Sequence, residues 1–209
     1  MKLNFMLIFS AFILIFSYGS NAKDTSLELS KVIEKRETSW RDSNFLSSWS
    51  HPILSDYISP ASTSGSSVPQ VAVDGNNDAV IVWQQIADGQ HRIFKSEYRS
   101  GSWTHPSSIS NYISPTSTSG ASVPQVAMAD NGDTVIVWQQ IADGQHRIFK
   151  SEYRAGSWTH PSSTSNYISP TSTAGASVPQ VAIADNGDAV IVWQQVADGQ
   201  HRIFKSEYR

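Results

Sequence analysis

Aromatic, imidazole, amide and guanidinium side chains recur together along this sequence at nearly fixed intervals. A Trp-x-His-Pro segment occurs three times, and so does a Trp-Gln-Gln segment followed by Gly-Gln-His-Arg. An indole ring can stack on the apolar face of a sugar, and the polar groups can hydrogen-bond to its hydroxyls. The candidate ligand-binding residues are therefore Trp49, Trp103, Trp158, His51, His105, His160, Gln85, Gln140, Gln195, Arg92, Arg147 and Arg202.

The tryptophans fall into two groups with different expected roles. Trp83, Trp138 and Trp193 lie within apolar segments and are predicted to be core residues. The Trp-x-His-Pro tryptophans, such as Trp103, stand on predicted edge strands. Two interpretations of these rings stay open: they cover the outer layer of a sheet, or they form stacking platforms for a sugar.

The repetition itself argues against catalysis. A catalytic site brings together a base, a nucleophile and a charge-stabilising group that differ in type and converge once. These repeats instead present one environment three times. We therefore expect a protein that is not an enzyme and that needs no cofactor.

The histidines and the Asp-Asn-Gly-Asp segments contain the side chains that could bind a metal ion. His146 follows a predicted hairpin turn and His105 lies on a predicted outer strand, so neither is expected to point toward an axis shared by three copies. Asp130 and Asp133 flank a two-residue turn and lack the ligand spacing of a calcium loop. The sequence therefore predicts surface imidazoles and no metal site.

All these residues recur because most of the chain is a 55-residue repeat. Trp83, Trp138 and Trp193 lie 55 residues apart, and the segment GQHRIFKSEYR is spelled three times without change. Residues 101–154 and 156–209 differ at five positions. Such self-similarity is typical of proteins in which each repeat packs against its neighbours.

Each repeat predicts four antiparallel strands, of which the first two form a hairpin. In the middle repeat they are expected at 123–128 and 134–140, joined by a turn in which Asn131 and Gly132 both take positive φ. The second strand is apolar on both faces, so we expect both of its faces to be covered.

The third and fourth strands contain fewer apolar residues than the first two. The third strand, at 146–153, follows a tight turn at Asp143-Gly144 and alternates aromatic with charged residues, which predicts a half-exposed strand. A short outer strand is expected at 158–160. A Ser/Thr/Pro-rich crossing segment then leads to the next unit.

Four strands in series followed by a long crossing are typical of a β-propeller blade. The predicted fold class is therefore all-β, a propeller-type array of three 55-residue four-stranded antiparallel blades, at about 48–99, 100–154 and 155–209. An N-terminal strand at 48–52 resembles a fourth strand without its first three, so we expect it to close the last blade. The main rival fold is a β-solenoid, whose coils are usually shorter.

The number of blades is lower than the four to eight of most propellers. Three alternatives stay open: the blades close tightly, two chains form a six-bladed ring as a homodimer, or the sequence is a fragment of a longer array. An open arc of three blades would expose apolar blade faces.

The N-terminal residues 1–22 predict a secretory signal peptide. Lys2 precedes an apolar run at 5–16, and small residues at 20–22 offer a cleavage site. The run is shorter than the ~20 residues of a spanning helix. We therefore expect a secreted or periplasmic protein with no membrane span after cleavage. Residues 23–47 are interpreted as a linker or short helix.

The charge and cysteine content narrow the class of partner. The chain has 18 acidic and 15 basic residues, a net charge of −3. Such a mildly acidic chain gives no reason to expect nucleic acid or an anionic membrane as a partner. It contains no cysteine, so its stability must come from packing rather than disulfides.

The segments PQVAMADNGDTVIVWQQ and HRIFKSEYRAGSW resemble the blade repeats of bacterial exported proteins related to sialidase-type, Asp-box propellers. The likeness covers residues 49–209. Asp130, Gly132 and Trp138 follow the order of an Asp-box, with the tryptophan farther along than the motif places it. The resemblance implies a propeller fold and export. It does not imply sialidase activity, because the arginines, nucleophilic tyrosine and acid of that reaction have no match here.

The sequence thus predicts an exported, non-enzymatic binding module, lectin-like, with three equivalent weak sites for a glycan or protein ligand. Weak sites gain avidity when they are linked. Two alternatives stay open: a structural or self-associating repeat protein, and a glycosidase-like enzyme, which only fold analogy supports.

Overall fold

The computed structural model describes residues 50–62, 65–117, 119–172 and 174–209. The chain divides into two compact units, residues 1–53 and 54–209. The expected signal peptide, the linker or helix at 23–47, and Trp49 lie outside the described residues. Residues 50–53 have no regular secondary structure, and the second unit carries all of the strands described below.

Eleven strands of the second unit form three antiparallel sheets, each in chain order. The first sheet consists of β1 (Ser66–Val73), β2 (Ala79–Ala87), β3 (Gln90–Arg99) and β4 (Ser102–Thr104). The second sheet consists of β5 (Ala121–Met128), β6 (Thr134–Ala142), β7 (Gln145–Arg154) and β8 (Ser157–Thr159). The third sheet consists of β9 (Ala176–Ile183), β10 (Ala189–Ala197) and β11 (Gln200–Tyr208).

These sheets confirm the all-β fold class and the predicted order of strands within each repeat. The sheets span 66–104, 121–159 and 176–208, and in the first two the short fourth strand pairs with the third strand of the same sheet. In the described residues the third sheet has three strands. The expected closing strand at 48–52 falls partly outside those residues, and 50–52 form no strand.

The hairpin turns follow local sequence, with one correction. Asp143 and Gly144 both take positive φ, 52° and 73°, as the tight turn requires. In the other turn only Gly132 is left-handed, at 85°; the prediction of positive φ at Asn131 was wrong. The Gly132 amide donates to the Ala129 carbonyl at 2.9 Å, so the connection has three residues and needs one left-handed position.

The middle blade is covered on both faces, as its second strand predicts. On β6, Val135 and Val137 pack with residues of the third sheet, while Ile136 and Trp138 pack with residues of the first. All four side chains are 0% exposed. The three sheets therefore stack face to face as consecutive blades.

The third strands of the first two blades depart from the prediction, whereas β11 in the third blade is largely exposed. In β7, three consecutive residues, Arg147, Ile148 and Phe149, are buried, so this part of the strand is not half-exposed. Phe149 packs in the cluster shared with the first blade, and Ile148 in the cluster shared with the third. Alternation along one strand cannot reveal this, because the second cover comes from the next repeat.

Candidate binding site

Three of the predicted site residues, the glutamines, lie inside the blades. Gln140 is 0% exposed, and its Oε1 accepts from the Trp138 indole at 3.3 Å. Its Nε2 donates to the Pro115 carbonyl at 2.9 Å. Gln85 and Gln195 make the corresponding bonds in their own blades. These amides tie the core tryptophan to the crossing segment.

The arginines of the same prediction divide into two buried and one exposed. Arg147 is 1% exposed and donates to the Ser172 carbonyl at 2.7 Å, with Tyr167 beneath its guanidinium at 5.3 Å. Arg92 makes the same contacts one repeat earlier. Arg202 is exposed. The buried pair holds the crossing segments in place.

Charged and aromatic side chains gather where the first blade meets the second. Lys95 and Glu97 come from β3, Trp158 comes from β8, and His160 follows it. We call these four residues the junction cluster. The Lys95 ammonium lies 4.6 Å from the centre of the Trp158 ring, and the indole N–H donates to Glu97 Oε2 at 2.9 Å.

The junction cluster contains two predicted site residues, Trp158 and His160, and two that sequence reasoning missed. Lys95 and Glu97 lie on the face of β3 that also carries Ile93, which is turned to the second blade. Charged residues alternating with Phe94 indicated a solvent-facing side. The available signal was that opposite charges recur two residues apart in every copy of the repeat.

Electrostatics keep the Glu97 carboxylate charged. It accepts from Lys95 Nζ at 2.6 Å and from Arg99 Nε at 3.1 Å, besides the Trp158 indole. Burial acts to raise the pKa of Glu97, but these hydrogen bonds and the positive charge of Lys95 outweigh it and lower the pKa below its ordinary value. Glu97 is therefore an anion at neutral pH.

His160 completes the junction cluster as a neutral ring. It stacks on Trp158 with centroids 5.5 Å apart, and its Nδ1 lies 2.9 Å from Ser151 Oγ. Desolvation, and after it the charge of Lys95, lower the pKa of His160 to about 4. The His160 side chain is exposed overall, so solvent screens part of this effect.

We expect His160 to stay neutral well below the pH at which a free histidine titrates. Because its folded-state pKa is lowered from 6.5 to about 4, its contribution to stability is complete above pH 6.5 and is lost as the pH falls toward 4. An NMR titration of the His160 ring measures this. Lys95→Met should raise the pKa by removing a positive charge. A pKa at or above 6.5 in the unaltered chain would contradict the arrangement.

The predicted tryptophan sites are not equivalent in the structure. Trp158 is half-buried within the junction cluster, whereas Trp103 is 44% exposed and stacks on His105 at 5.5 Å. In the described part of the chain no blade precedes Trp103 to supply a lysine and a glutamate. His51 is exposed in a segment without strands. The structure therefore holds one complete junction cluster among the described residues.

Two further features of the described residues bear on the site. No group of three or more His, Asp or Glu side chains within them is placed to hold a metal ion. The same residues include no helix long and apolar enough to cross a bilayer.

Several solved structures match this chain over part of its length. The polysaccharide lyase Uly1 matches at 12% identity over 66% of this chain and 37% of its own, with a TM-score of 0.45. An endo-arabinase from Bacteroides thetaiotaomicron VPI-5482 matches at 13% identity over 76% and 61%, with a TM-score of 0.44. A fucose lectin from Kordia zhangzhouensis, in complex with methyl-fucoside, matches at 13% identity over 68% and 96%, with a TM-score of 0.41.

These matches are too distant to transfer an activity. The chain spans 37% and 61% of the length of the first two proteins, and identities and TM-scores this low carry no conclusion about a ligand. No family model and no curated protein matches the chain. The resemblance to Asp-box blades therefore rests on the repeat sequence alone, and the function has to be argued from the junction cluster.

Proposed function

We propose that this chain is an exported, non-enzymatic module that binds carbohydrate at the junction of its first and second blades. The observation that carries the proposal is the junction cluster, where an indole, a carboxylate, an ammonium group and an imidazole meet. A sugar offers the two features that these groups recognise, an apolar face of C–H bonds and a set of hydroxyls.

The Trp158 indole is the surface for the apolar face of the sugar. Its neighbours in β8, Ser157 and Thr159, are exposed, so the half-buried ring lies at the edge of the blade. The Lys95 ammonium 4.6 Å from the ring centre marks a π face that attracts positive charge. Sugar C–H bonds carry partial positive charge, and the flexible lysine chain can turn aside to admit them.

Glu97 and Lys95 provide hydrogen-bonding groups of opposite polarity for the hydroxyls. The ionised carboxylate accepts from hydroxyl groups, and the ammonium donates to them. Charge-assisted hydrogen bonds of this kind are roughly twice as strong as neutral ones. Their ion pair at 2.6 Å must open to admit a sugar, so we expect weak binding, with a dissociation constant on the order of 1 mM.

The non-enzymatic part of the proposal rests on the protonation state of Glu97. Glycoside hydrolysis usually requires two carboxyl groups, one of them with a raised pKa so that it can act as an acid. The junction cluster contains one carboxylate, and its pKa is lowered. A group held as an anion suits the role of a hydrogen-bond acceptor rather than that of a proton donor.

The sugar-binding prediction is tested by titrating methyl glycosides of neutral hexoses and deoxyhexoses into the full chain. Calorimetry and the indole N–H signal of Trp158 report binding. Glu97→Gln is expected to weaken binding at least tenfold, about 1.4 kcal/mol, because a neutral amide replaces the charged acceptor. Trp158→Ala should abolish binding at the junction cluster.

Glu152→Gln is the matched control, because Glu152 occupies the same place in β7 and pairs with Lys150 at 2.5 Å. In the described residues no tryptophan follows β11 to meet it, so this variant should bind as the unaltered chain does. Equal losses in the two glutamine variants, or no binding by any glycoside in the panel, would refute the site. Turnover of chromogenic glycosides would refute the non-enzymatic assignment.

A further inference from the structure

One face of the third blade carries side chains whose counterparts are fully buried in the other two blades. The buried counterparts are Val80, Val82 and Ile93 in the first blade and Val135, Val137 and Ile148 in the second, all 0% exposed. In the third blade, Val190 and Val192 are only half-buried and Ile203 is 76% exposed. Within the described residues no fourth blade covers this face, which we call the trailing face.

The first blade leaves the opposite face exposed along β1, although Trp83 on the same face is 3% exposed. On β1, Val71 is 64% exposed and Val73 is 59% exposed. Their counterparts in the second blade, Val126 and Met128, pack against the core cluster shared with the first blade. We call the β1 side of the first blade the leading face. The two uncovered faces are the two halves of a contact that the chain already makes twice.

We propose that a second copy of this chain covers both faces, so that the trailing face of each copy packs against the leading face of the other. Each contact then repeats the packing between consecutive blades. Counting the blades among the described residues, two copies supply six, which is within the usual four to eight, whereas one or three copies supply three or nine. Both contacts are equivalent because each copy contributes one face to each, which closes the assembly with twofold symmetry.

The two faces also carry polar groups that form pairs at each internal junction between blades. At the internal junctions, Arg99 lies over the Tyr153 ring at 3.8 Å and Arg154 over the Tyr208 ring at 4.4 Å. The next arginine in this series is Arg209, which is exposed, and the tyrosine that begins the series is Tyr98. The same geometry places Arg209 over Tyr98 of the partner subunit.

A backbone hydrogen bond and a charged pair extend this match. Gln84 Oε1 accepts from the Val123 amide at 3.2 Å, and Gln139 Oε1 from the Val178 amide at 3.3 Å. By the same spacing Gln194 faces the Val68 amide of the partner subunit. Lys205 and Glu207, paired at 2.9 Å, take the places of Lys95 and Glu97.

The exposed tryptophan gains a defined role in this assembly. Trp103 is 44% exposed, and no blade precedes it in the part of the chain that the structure describes, whereas Trp158 is held by Lys95 and Glu97. In the two-copy ring, Lys205 and Glu207 meet Trp103 of the partner subunit. The two faces therefore match in their apolar residues, their hydrogen-bonding groups and their cation–aromatic pairs, because they repeat the contact between consecutive blades.

The test is the mass of the full chain in solution, measured by sedimentation equilibrium from micromolar to near-millimolar concentration. We expect a mass of two chains. Ile203→Glu and Val71→Lys each place a charge on one face, and each should raise the dissociation constant of the dimer at least a hundredfold. Both side chains are exposed in a single copy, so the circular dichroism spectrum of each variant should be unchanged.

Mixing the two variants provides a rescue experiment. A mixed pair has one contact that carries both substitutions and one that carries none, so the mass of two chains should return in part. A mass of one chain at every concentration would overturn the proposal. The two faces would then be covered by something other than a second copy. A mass of three or more chains would overturn it as well. Neither result depends on sugar binding, because the junction cluster lies within one copy.

Discussion

Replacing Trp138 with alanine is expected to lower the free energy of unfolding by roughly 3–5 kcal/mol. Trp138 lies at the centre of the middle blade, is 0% exposed and stacks on Phe149 with centroids 6.0 Å apart. Its indole N–H also satisfies Gln140 Oε1. Alanine therefore leaves a cavity and an unpaired buried oxygen together. Urea unfolding followed by circular dichroism measures the change.

Trp103→Ala is the control for this substitution, because it removes the same ring from the rim. Trp103 is 44% exposed, so we expect a loss of about 1 kcal/mol or less. Both substitutions are best compared in the Ile203→Glu background, where association of copies contributes nothing. Comparable losses at the two positions would contradict the division into core and rim tryptophans.

Arg147→Ala is expected to destabilise the chain by about 3 kcal/mol or more. The guanidinium is 1% exposed and donates to the carbonyls of Pro170, Ser172 and Ala174. Alanine leaves these part-buried carbonyls without their charged donor and removes the support of the crossing segment that leads to the third blade. The shift of the urea midpoint, at unchanged slope, measures the loss.

Arg202→Ala provides the comparison within the same eleven-residue segment. Arg202 is exposed, and in the Ile203→Glu background no crossing segment among the described residues packs against it. We expect a change within about 0.5 kcal/mol. Equal losses of stability from the two arginine substitutions would contradict the role assigned to Arg147, which is to hold the crossing segment with a buried guanidinium.

The candidate site could be predicted only in part. Side-chain type marked Trp158 and His160, which the structure brings together in the junction cluster, and it marked Gln140 and Arg147 as well, which the structure buries. Amides and guanidinium groups bind backbone carbonyls as readily as they bind sugars. Which of these they find depends on the path of the crossing segment. Lys95 and Glu97 were not predicted as site residues, because charged residues that alternate along a strand usually face water.

The strands, their order and the tight turns were determined by the sequence itself, because alternation of apolar residues and the left-handed preference of Asp-Gly act over a few neighbouring residues. Burial was decided only by the tertiary structure. Ile93, Ile148 and Ile203 occupy the same place in identical segments, yet they are 0%, 0% and 76% exposed. The difference arises because a blade face is covered by the next blade, and no residue within one repeat encodes whether that neighbour is present.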